Sequence, residues 1–164
     1  MTGDDLVTHV RDLLAVNRYL TLGTVGADGR PWSSPVYFAA DGIADYYWVS
    51  AADAAHSRNI AARPSVSAVV FDSTVPPYHG RAVYLSAEAR ELSGTDAGRA
   101  LDIYPGPEGR GGVALTLADV IGTSEWRMYR ATASELWVLC PRDPRQPCPR
   151  HGVNRDHRVR VPLG

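Results

Sequence analysis

Short runs of alternating apolar and polar residues dominate the chain. In residues 19–25, Leu20, Leu22 and Thr24 fall on one side of an extended backbone, and the remaining positions fall on the other. A period of two, with aromatic and β-branched side chains, predicts a strand. The same reasoning predicts further strands at residues 30–39, 43–50, 66–71, 81–92, 124–131 and 135–139.

Helical patterns are fewer and shorter. Residues 4–17 place Leu6 and Val10 at the spacing of an amphipathic helix. Thr2 and Asp5 resemble a capping box at the start of that helix. Further helices are predicted at residues 53–64 and 96–104, with a helical turn at residues 116–120.

The order of these elements predicts a mainly β fold. Strands follow one another in consecutive hairpins, with a helix before the first strand and another after the third, and no strand–helix–strand repeat is present. Six or seven antiparallel strands protect their edges best in a small closed or split antiparallel β-barrel. We predict one barrel domain over residues 1–139. Residues 140–164 are rich in proline and arginine, and we predict a tail that wraps the barrel or a partner subunit.

Composition limits the partners. The 164 residues carry a formal net charge of -1, so no overall field attracts nucleic acid or an anionic membrane surface. No apolar run reaches the ~20 residues of a membrane span. The N-terminus lacks the basic-then-apolar pattern of a signal peptide. These features predict a cytoplasmic protein with no nucleic-acid or membrane partner.

The start of the second predicted helix concentrates polar donors. Asp53 is predicted to cap this helix, and His56, Ser57, Arg58 and Asn59 occupy its first turn and a half. The free N–H groups and partial positive charge of a helix start favour an anion. With an imidazole, a hydroxyl, a guanidinium and an amide added, this is a candidate phosphate site. A solvated polar turn is the alternative interpretation.

The second predicted strand has room for a flat ligand. Pro35 cannot donate a hydrogen bond to a neighbouring strand, which indicates a sheet edge or a bulge. Ser33 and Ser34, which precede it, are small and polar. An ordinary edge strand with exposed serines explains the same pattern, so the strand alone does not identify a site.

Four stretches form a distinctive combination when they are taken together. They read RPWSSPVYF at 30–38, YWVS at 47–50, HSRNI at 56–60 and RPSV at 63–66. In this order, and with the predicted hairpins between them, they resemble the pyridoxamine 5'-phosphate oxidase-like, FMN-binding split-barrel family. The resemblance covers about residues 15 to 92, and the segment 126–139 fits the closing strands of that family.

The resemblance implies a six-stranded split barrel that forms homodimers with FMN at the interface. The flavin ring would lie along the second strand, the ribityl chain would pass the end of the third, and the phosphate would bind at the following helix. Arg81, in the same or the other chain, would face the flavin with Tyr84, and the loop at 104–112 is a candidate lid. The cofactor-binding residues implied in this way are Ser33, Ser34, Pro35, Val36, Tyr37, Val49, Ser50, His56, Ser57, Arg58, Asn59 and Arg81.

The sequence departs from the family pattern at two places. An Arg-Lys pair holds the phosphate in the oxidase itself, whereas Ala55 and His56 stand at those positions here. The Arg-x-His segment that contacts the oxidase substrate has only a weak counterpart here, the sequence Asp-His-Arg at residues 156–158. We therefore expect an FMN-dependent oxidoreductase with an unidentified substrate. The alternative is a non-catalytic protein that binds or senses flavin, deazaflavin or haem, since relatives of this fold bind those groups.

Two other groups of residues have simpler interpretations. Cys140, Cys148, His151 and His157 have the spacing Cys-x7-Cys-x2-His-x5-His, which fits no standard zinc finger. We therefore expect two ordinary cysteines and no metal site. For Asp72 and His79, in the loop before residue 81, we expect a turn-capping carboxylate and a surface imidazole.

Overall fold

The structure, a computed structural model, describes residues 3–164 and organises them around one antiparallel sheet. Thr2 lies outside the described residues, and with it the predicted capping box. The helices are α1 Gly3–Val16, α2 Ala55–Ala62 and α3 Gly94–Ala100, with single 3-10 turns at Glu108–Arg110 and Leu117–Asp119. The strands are β1 Tyr19–Val25, β2 Pro31–Tyr37, β3 Ala39–Asp41, β4 Asp45–Ala51, β5 Ser65–Phe71, β6 Ala82–Leu92, β7 Trp126–Leu139 and β8 Arg158–Val161.

The strand order confirms the predicted fold class and corrects its details. The sheet runs β2-β1-β5-β6-β7-β4-β3, and β8 pairs with β7 outside this path. It curls as the split barrel does, and every pairing is antiparallel. Eight strands replace the predicted six or seven, because the short β3 and β8 add to the set. The strands are not all consecutive hairpins, since β1 pairs with β5 and β4 pairs with β7.

Strand β7 is one long strand where the sequence predicts two joined by a turn. Its partner β6 runs alongside both halves, from Leu92 opposite Met128 to Val83 opposite Val138. The register shifts once, where Ser86 lies opposite Glu135 but the next residue lies opposite Ala133. The extra residue between them is a β-bulge that the ladder absorbs. A small polar stretch that resembles a turn therefore stays inside the strand.

The core lies between the concave side of the sheet and α1. The apolar stripe of that helix is buried, with Leu6 and Val10 at 1% and 0% exposure. The predicted inward face of β1 is confirmed, because Leu20 and Leu22 are buried there. A second, smaller cluster packs beneath α3. It consists of Tyr47, Leu92, Ala97, Ala100, Val120 and Met128.

The end of the chain returns to the sheet. Strand β8 pairs with residues 136–139 of β7, on the side of β7 where β4 occupies the first half. Val161 in β8 is 1% exposed and belongs to the main core. The predicted tail is thus a long loop, residues 140–157, followed by a strand that closes the sheet edge.

Within residues 3–164, no helix combines the length and the apolar character that a membrane crossing requires.

Candidate functional site

Three residues of the predicted set meet where α2 begins. Ser34 on β2, Ser50 on β4 and His56 on α2 form a cluster that we call the histidine corner. The Nδ1 atom of His56 lies 3.1 Å from Ser34 Oγ, and its Nε2 atom lies 2.8 Å from Ser50 Oγ. The indole N–H of Trp32 also donates to Ser34 Oγ, at 2.9 Å. The turn between β4 and α2 therefore brings residues from two strands and a helix into one hydrogen-bond network.

The imidazole in this corner is neutral near pH 7. Burial lowers the pKa of His56 below its ordinary value, because the charged ring loses hydration. A neutral ring has one donor and one acceptor nitrogen. Both are used when Ser34 donates to Nδ1 and Nε2–H donates to Ser50, which is the assignment that the network favours. In this arrangement His56 orients two hydroxyl groups and supplies no positive charge.

Of the next three residues of α2, two have side chains that hold the helix in place, and the third has a charged side chain that is exposed to solvent. Ser57 is buried and donates to the carbonyl of Ala51 at 2.7 Å. Asn59 donates to Thr24 Oγ1 at 3.0 Å, which attaches the helix to β1. Arg58 is exposed and contacts only a backbone carbonyl among the described hydrogen bonds. Of the four polar residues predicted for a phosphate, Arg58 is the one whose charge faces solvent.

The predicted cap of this helix is wrong. Ala54 is the N-cap residue, and no side chain accepts a hydrogen bond there. Asp53 sits one residue too early, because β4 extends to Ala51 and the chain then turns, with Ala54 N–H bonded to Ala51 O. The carbonyl of Asp53 accepts from Arg58 instead.

The outward side of β2 is flat and lined with small groups. Ser33 and Pro35 are exposed there, while Ser34 and Val36 point into the barrel. Across the ladder, Gly23 lies opposite Ser33 and also opposite Ser67 on β5. A Cβ atom built on Gly23 would lie 2.5 Å from Ser67 Oγ, so a larger residue here would require the Ser67 hydroxyl to move. We call the surface formed by Gly23, Ser33, Pro35 and Ser67 the outer face.

Three predicted residues lie away from the histidine corner. Val49 packs against the cluster beneath α3. The hydroxyl of Tyr37 donates to Pro105 O at 2.6 Å. Arg81 precedes β6 and lies 3.9 Å from Asp72 in an ion pair. Arg81 is separated from the corner within one chain, because β1 and β5 lie between Ser34 and Leu85 and Arg81 lies four residues before Leu85.

The candidate lid is anchored at its end. The guanidinium of Arg110 donates to the carbonyls of Leu14, Ala15, Asn17 and Phe38 at 2.8–3.1 Å. Two of these carbonyls belong to the last turn of α1, where a cation offsets the unpaired C=O groups. The loop at 104–112 is therefore tied to α1 and β2 through Arg110 and Pro105. A single arginine among glycines and prolines gives no sequence signal of this role.

A large cavity lies at the Arg81 end of the barrel. It has a volume of about 940 Å³, and its lining includes His9, His79, Arg81 and Arg142. The Nε2 atom of His9 is buried without a hydrogen-bond partner among the described residues. Burial and the nearby Arg81 charge lower the pKa of His9. Two imidazoles and two guanidinium groups therefore border one space, a grouping that the sequence analysis missed.

The loop beside this cavity behaves as the sequence predicts. Asp72 accepts hydrogen bonds from the backbone N–H and the hydroxyl of Thr74, at 3.0 and 2.6 Å. These two bonds lower the pKa of Asp72. His79 is exposed. The carboxylate caps a turn, and no acid–base pair forms with the imidazole.

The tail, residues 140–164, brings together four side chains that could hold a metal ion. The sequence predicts no metal site among them. The sulfurs of Cys140 and Cys148 and one ring nitrogen each of His151 and His157 all lie within 4.8 Å of one another. Both thiols are buried and free. The four side chains come together only because β8 returns to β7. The spacing of the four residues along the chain does not indicate that return.

Comparison with known proteins identifies a family. The sequence model of pyridoxamine 5'-phosphate oxidase matches residues 6–123, which is more than half of the chain. No curated protein matches the chain in sequence.

Solved structures share the fold at low identity. A haem-binding protein from Mycobacterium smegmatis has a TM-score of 0.67 and 18% identity, over 98% of this chain and 59% of that protein. HutZ, the haem storage protein from Vibrio cholerae, has a TM-score of 0.61 and 19% identity, over 82% of this chain and 94% of HutZ. A third structure is a Clostridium acetobutylicum protein related to general stress protein 26, of the pyridoxinephosphate oxidase family. It has a TM-score of 0.65 and 9% identity, over 98% of this chain and 97% of that protein.

Proposed function

The chain belongs to the pyridoxamine 5'-phosphate oxidase family, and from this premise we propose that it binds FMN and acts as a flavin-dependent oxidoreductase on a small molecule. One observation supports this best. Strand β2 sends Ser34 into the histidine corner and presents Ser33 and Pro35 on the outer face. Ser34 and its neighbours Ser33 and Pro35 face opposite sides of β2, and β2 is an edge strand of the sheet. A ligand that crosses this edge would place its phosphate near the polar corner and its planar ring against the outer face.

The start of α2 fits a phosphate group in part. The first N–H groups of a helix have no partner within the helix, and they favour an anion. Arg58 is exposed and adds a guanidinium for charge-assisted hydrogen bonds. His56 is neutral, so its contribution is to hold the hydroxyls of Ser34 and Ser50 in place. These residues would bind the phosphate more weakly than a pair of permanent cations.

The rest of the cofactor would extend along β2. Bound FMN supplies hydride and electron transfer through its ring. The small groups of the outer face allow a planar ring to approach the backbone of β1 and β2 closely. Because the ring carries the chemistry, the chain's task is to orient it and to exclude water.

We propose that a second copy of the chain covers the outer face. Large apolar side chains are exposed on the same side of the sheet, with Tyr19 at 60%, Phe71 at 52% and Val25 at 37%. Exposed apolar patches of this kind mark interaction surfaces. A homodimer would bury them and would bring Arg81 of one protomer toward the corner of the other.

A titration with FMN tests this proposal. Quenching of flavin fluorescence by the purified protein should saturate, and the complex should be reducible by a nicotinamide cofactor. Arg58→Ala should weaken the affinity by about 10- to 100-fold, the loss of one charge-assisted bond of about 1.5–3 kcal/mol. Arg99→Ala, an exposed arginine on α3, is the matched control and should bind normally. No saturation with wild-type protein refutes the flavin assignment, and deazaflavin is tested by the same titration.

A haem-binding protein is the second candidate, because the large cavity has a suitable lining. His9 and His79 offer imidazole ligands for iron, and Arg81 and Arg142 can pair with propionate carboxylates. Proteins of the same fold are named for haem binding and haem storage. Haemin added to the protein should then give a sharp Soret band that His9→Ala shifts or abolishes. Saturation by FMN with no defined Soret band excludes this candidate.

A further inference from the structure

The four clustered side chains come from the two ends and the middle of one loop. Cys140 directly follows β7, and His157 directly precedes β8. The backbone N–H of Cys140 donates to the carbonyl of His157 at 2.8 Å, which continues the ladder between these strands. Cys148 and His151 lie on the intervening loop and fold back onto the pair. The sheet therefore fixes two of the groups, and the loop delivers the other two.

Four of the six distances between ligand atoms lie near those around a single tetrahedral ion, and all six are within 4.8 Å. His151 Nδ1 lies 3.6 Å from Cys140 Sγ, 3.5 Å from Cys148 Sγ and 3.0 Å from His157 Nε2, and the two sulfurs are 3.2 Å apart. Zinc–sulfur bonds of 2.3 Å and zinc–nitrogen bonds of 2.0–2.1 Å in a tetrahedron place sulfur and nitrogen about 3.5 Å apart and two nitrogens about 3.3 Å apart. Two sulfurs would be about 3.8 Å apart, so binding needs a movement of about 0.6 Å.

Neighbouring groups orient the ligand atoms. The Nδ1 atom of His157 lies 3.0 Å from the carbonyl of Arg155, so Nδ1–H donates to it and the lone pair of Nε2 points at the cluster. Backbone N–H groups of Arg150 and His151 donate to Cys148 Sγ. The N–H of Gly152 donates to the Cys148 carbonyl at 2.8 Å, and its φ of 66° allows the tight turn. Such outer contacts are typical of ligands prepared for a metal.

The loop has little else to hold its shape. Between residues 140 and 157 it contains no helix or strand. Cys140 and Cys148 are its buried apolar groups, at 5% and 1% exposure. A segment with so small a core usually depends on a metal or a disulfide.

We propose that Cys140, Cys148, His151 and His157 bind one structural zinc ion, which closes the loop 140–157 and holds β8 on β7. Two thiolates and two imidazoles in a tetrahedral arrangement select zinc among abundant divalent ions. No open coordination position is left, which makes the site structural rather than catalytic. The inference stands independently of either cofactor proposed above, and it replaces our expectation of two ordinary cysteines.

The metal content of the purified protein tests the proposal. Protein purified without chelator or added reductant should contain about one zinc per chain by mass spectrometry of the metal. Cobalt(II) exchanged into the site should give the intense visible absorption of tetrahedral thiolate coordination. Cys148→Ser and His157→Gln should each lower zinc content at least tenfold. Arg155→Ala, which removes a side chain but keeps the carbonyl bonded to His157, should retain the full content.

A second measurement avoids variants that fail to fold. Wild-type protein stripped by a chelator should show faster amide exchange in residues 140–161 and unchanged exchange in β1 and β5, and added zinc should restore the protection. Zinc content below one ion per ten chains in the native protein overturns the proposal. So does a Cys140–Cys148 disulfide, detected as two thiols that resist alkylation until reduced, or a loop whose exchange ignores both chelator and zinc.

Discussion

The histidine corner and the cysteine–histidine cluster use the same side chain in opposite ways. In the corner, the two nitrogens of His56 reach hydroxyl groups on different strands, so each polar atom is paired separately. In the cluster, single ring nitrogens of His151 and His157 and two sulfurs crowd around one point. The contrast shows that hydrogen-bond partners spread apart make a positioning network, whereas convergent lone pairs make a metal site.

The largest expected effect is on the cluster. Replacing both cysteines by serine removes the softer ligands, and structural zinc binding contributes about 10–16 kcal/mol in small zinc-dependent peptides. We expect the tail to lose protection from proteolysis throughout residues 140–161, while the barrel keeps its circular dichroism spectrum. If the tail of the double variant resists protease as well as the wild-type tail does, the cysteine–histidine cluster is not a metal site, and its contrast with the histidine corner is lost.

The next effect is on the corner as a binding site. His56→Ala combined with Arg58→Ala should weaken FMN affinity by roughly 2–4 kcal/mol through loss of charge-assisted and hydroxyl-orienting contacts. Isothermal titration measures the change. The same variant should keep its zinc, and equal FMN affinity in variant and wild type would mean that the phosphate binds elsewhere.

A smaller effect separates the two hydroxyl partners of His56. Ser34→Ala leaves the Trp32 indole N–H and one imidazole nitrogen without their common partner, whereas Ser50→Ala affects the imidazole alone. At about 1 kcal/mol per hydrogen bond, Ser34→Ala should lower the free energy of unfolding by about 2 kcal/mol and Ser50→Ala by about 1 kcal/mol. Urea denaturation resolves such differences, and the reverse order would contradict the described network.

The smallest effect is a pH dependence that belongs to the corner. Burial holds the pKa of folded His56 below its unfolded value of 6.5, so the unfolded chain takes up a proton first as the pH falls. Stability from this residue is therefore present above pH 6.5 and decreases through and below that value. His56→Gln should show a shallower loss of stability between pH 7 and pH 5 than the wild type. Parallel curves for the two proteins would show that His56 is not buried in solution.

The sequence predicts what depends on local pattern. Strands β1 and β5, the stripe of α1 and the placement of polar residues at the start of α2 follow from periodicity and composition. Whether Asp53 caps that helix depends on where β4 ends, and the pattern fixes such boundaries only to within a few residues.

Non-local pairing accounts for what the sequence does not reveal. Cys140 and His157 become neighbours only because β8 returns to the free half of β7. The spacing of ligands along the chain matches no common finger, since the sheet, rather than a hairpin within the motif, provides the scaffold. Pairing between strands also divides the predicted cofactor-binding residues into separate groups. Alternate positions of β2 face opposite sides of the sheet, and Arg81 pairs with Asp72 away from the histidine corner.

Arg110 has a consequence for how this chain can change over evolution. One guanidinium joins the last turn of α1, the residue that follows it and the residue after β2, across 72 to 96 residues of sequence. An insertion in the loop 104–112 that displaces Arg110 would therefore remove hydrogen bonds from the end of the N-terminal helix. We therefore expect changes in these two distant segments to be coupled, because a homologue without the arginine needs another partner for the carbonyls at the end of its first helix.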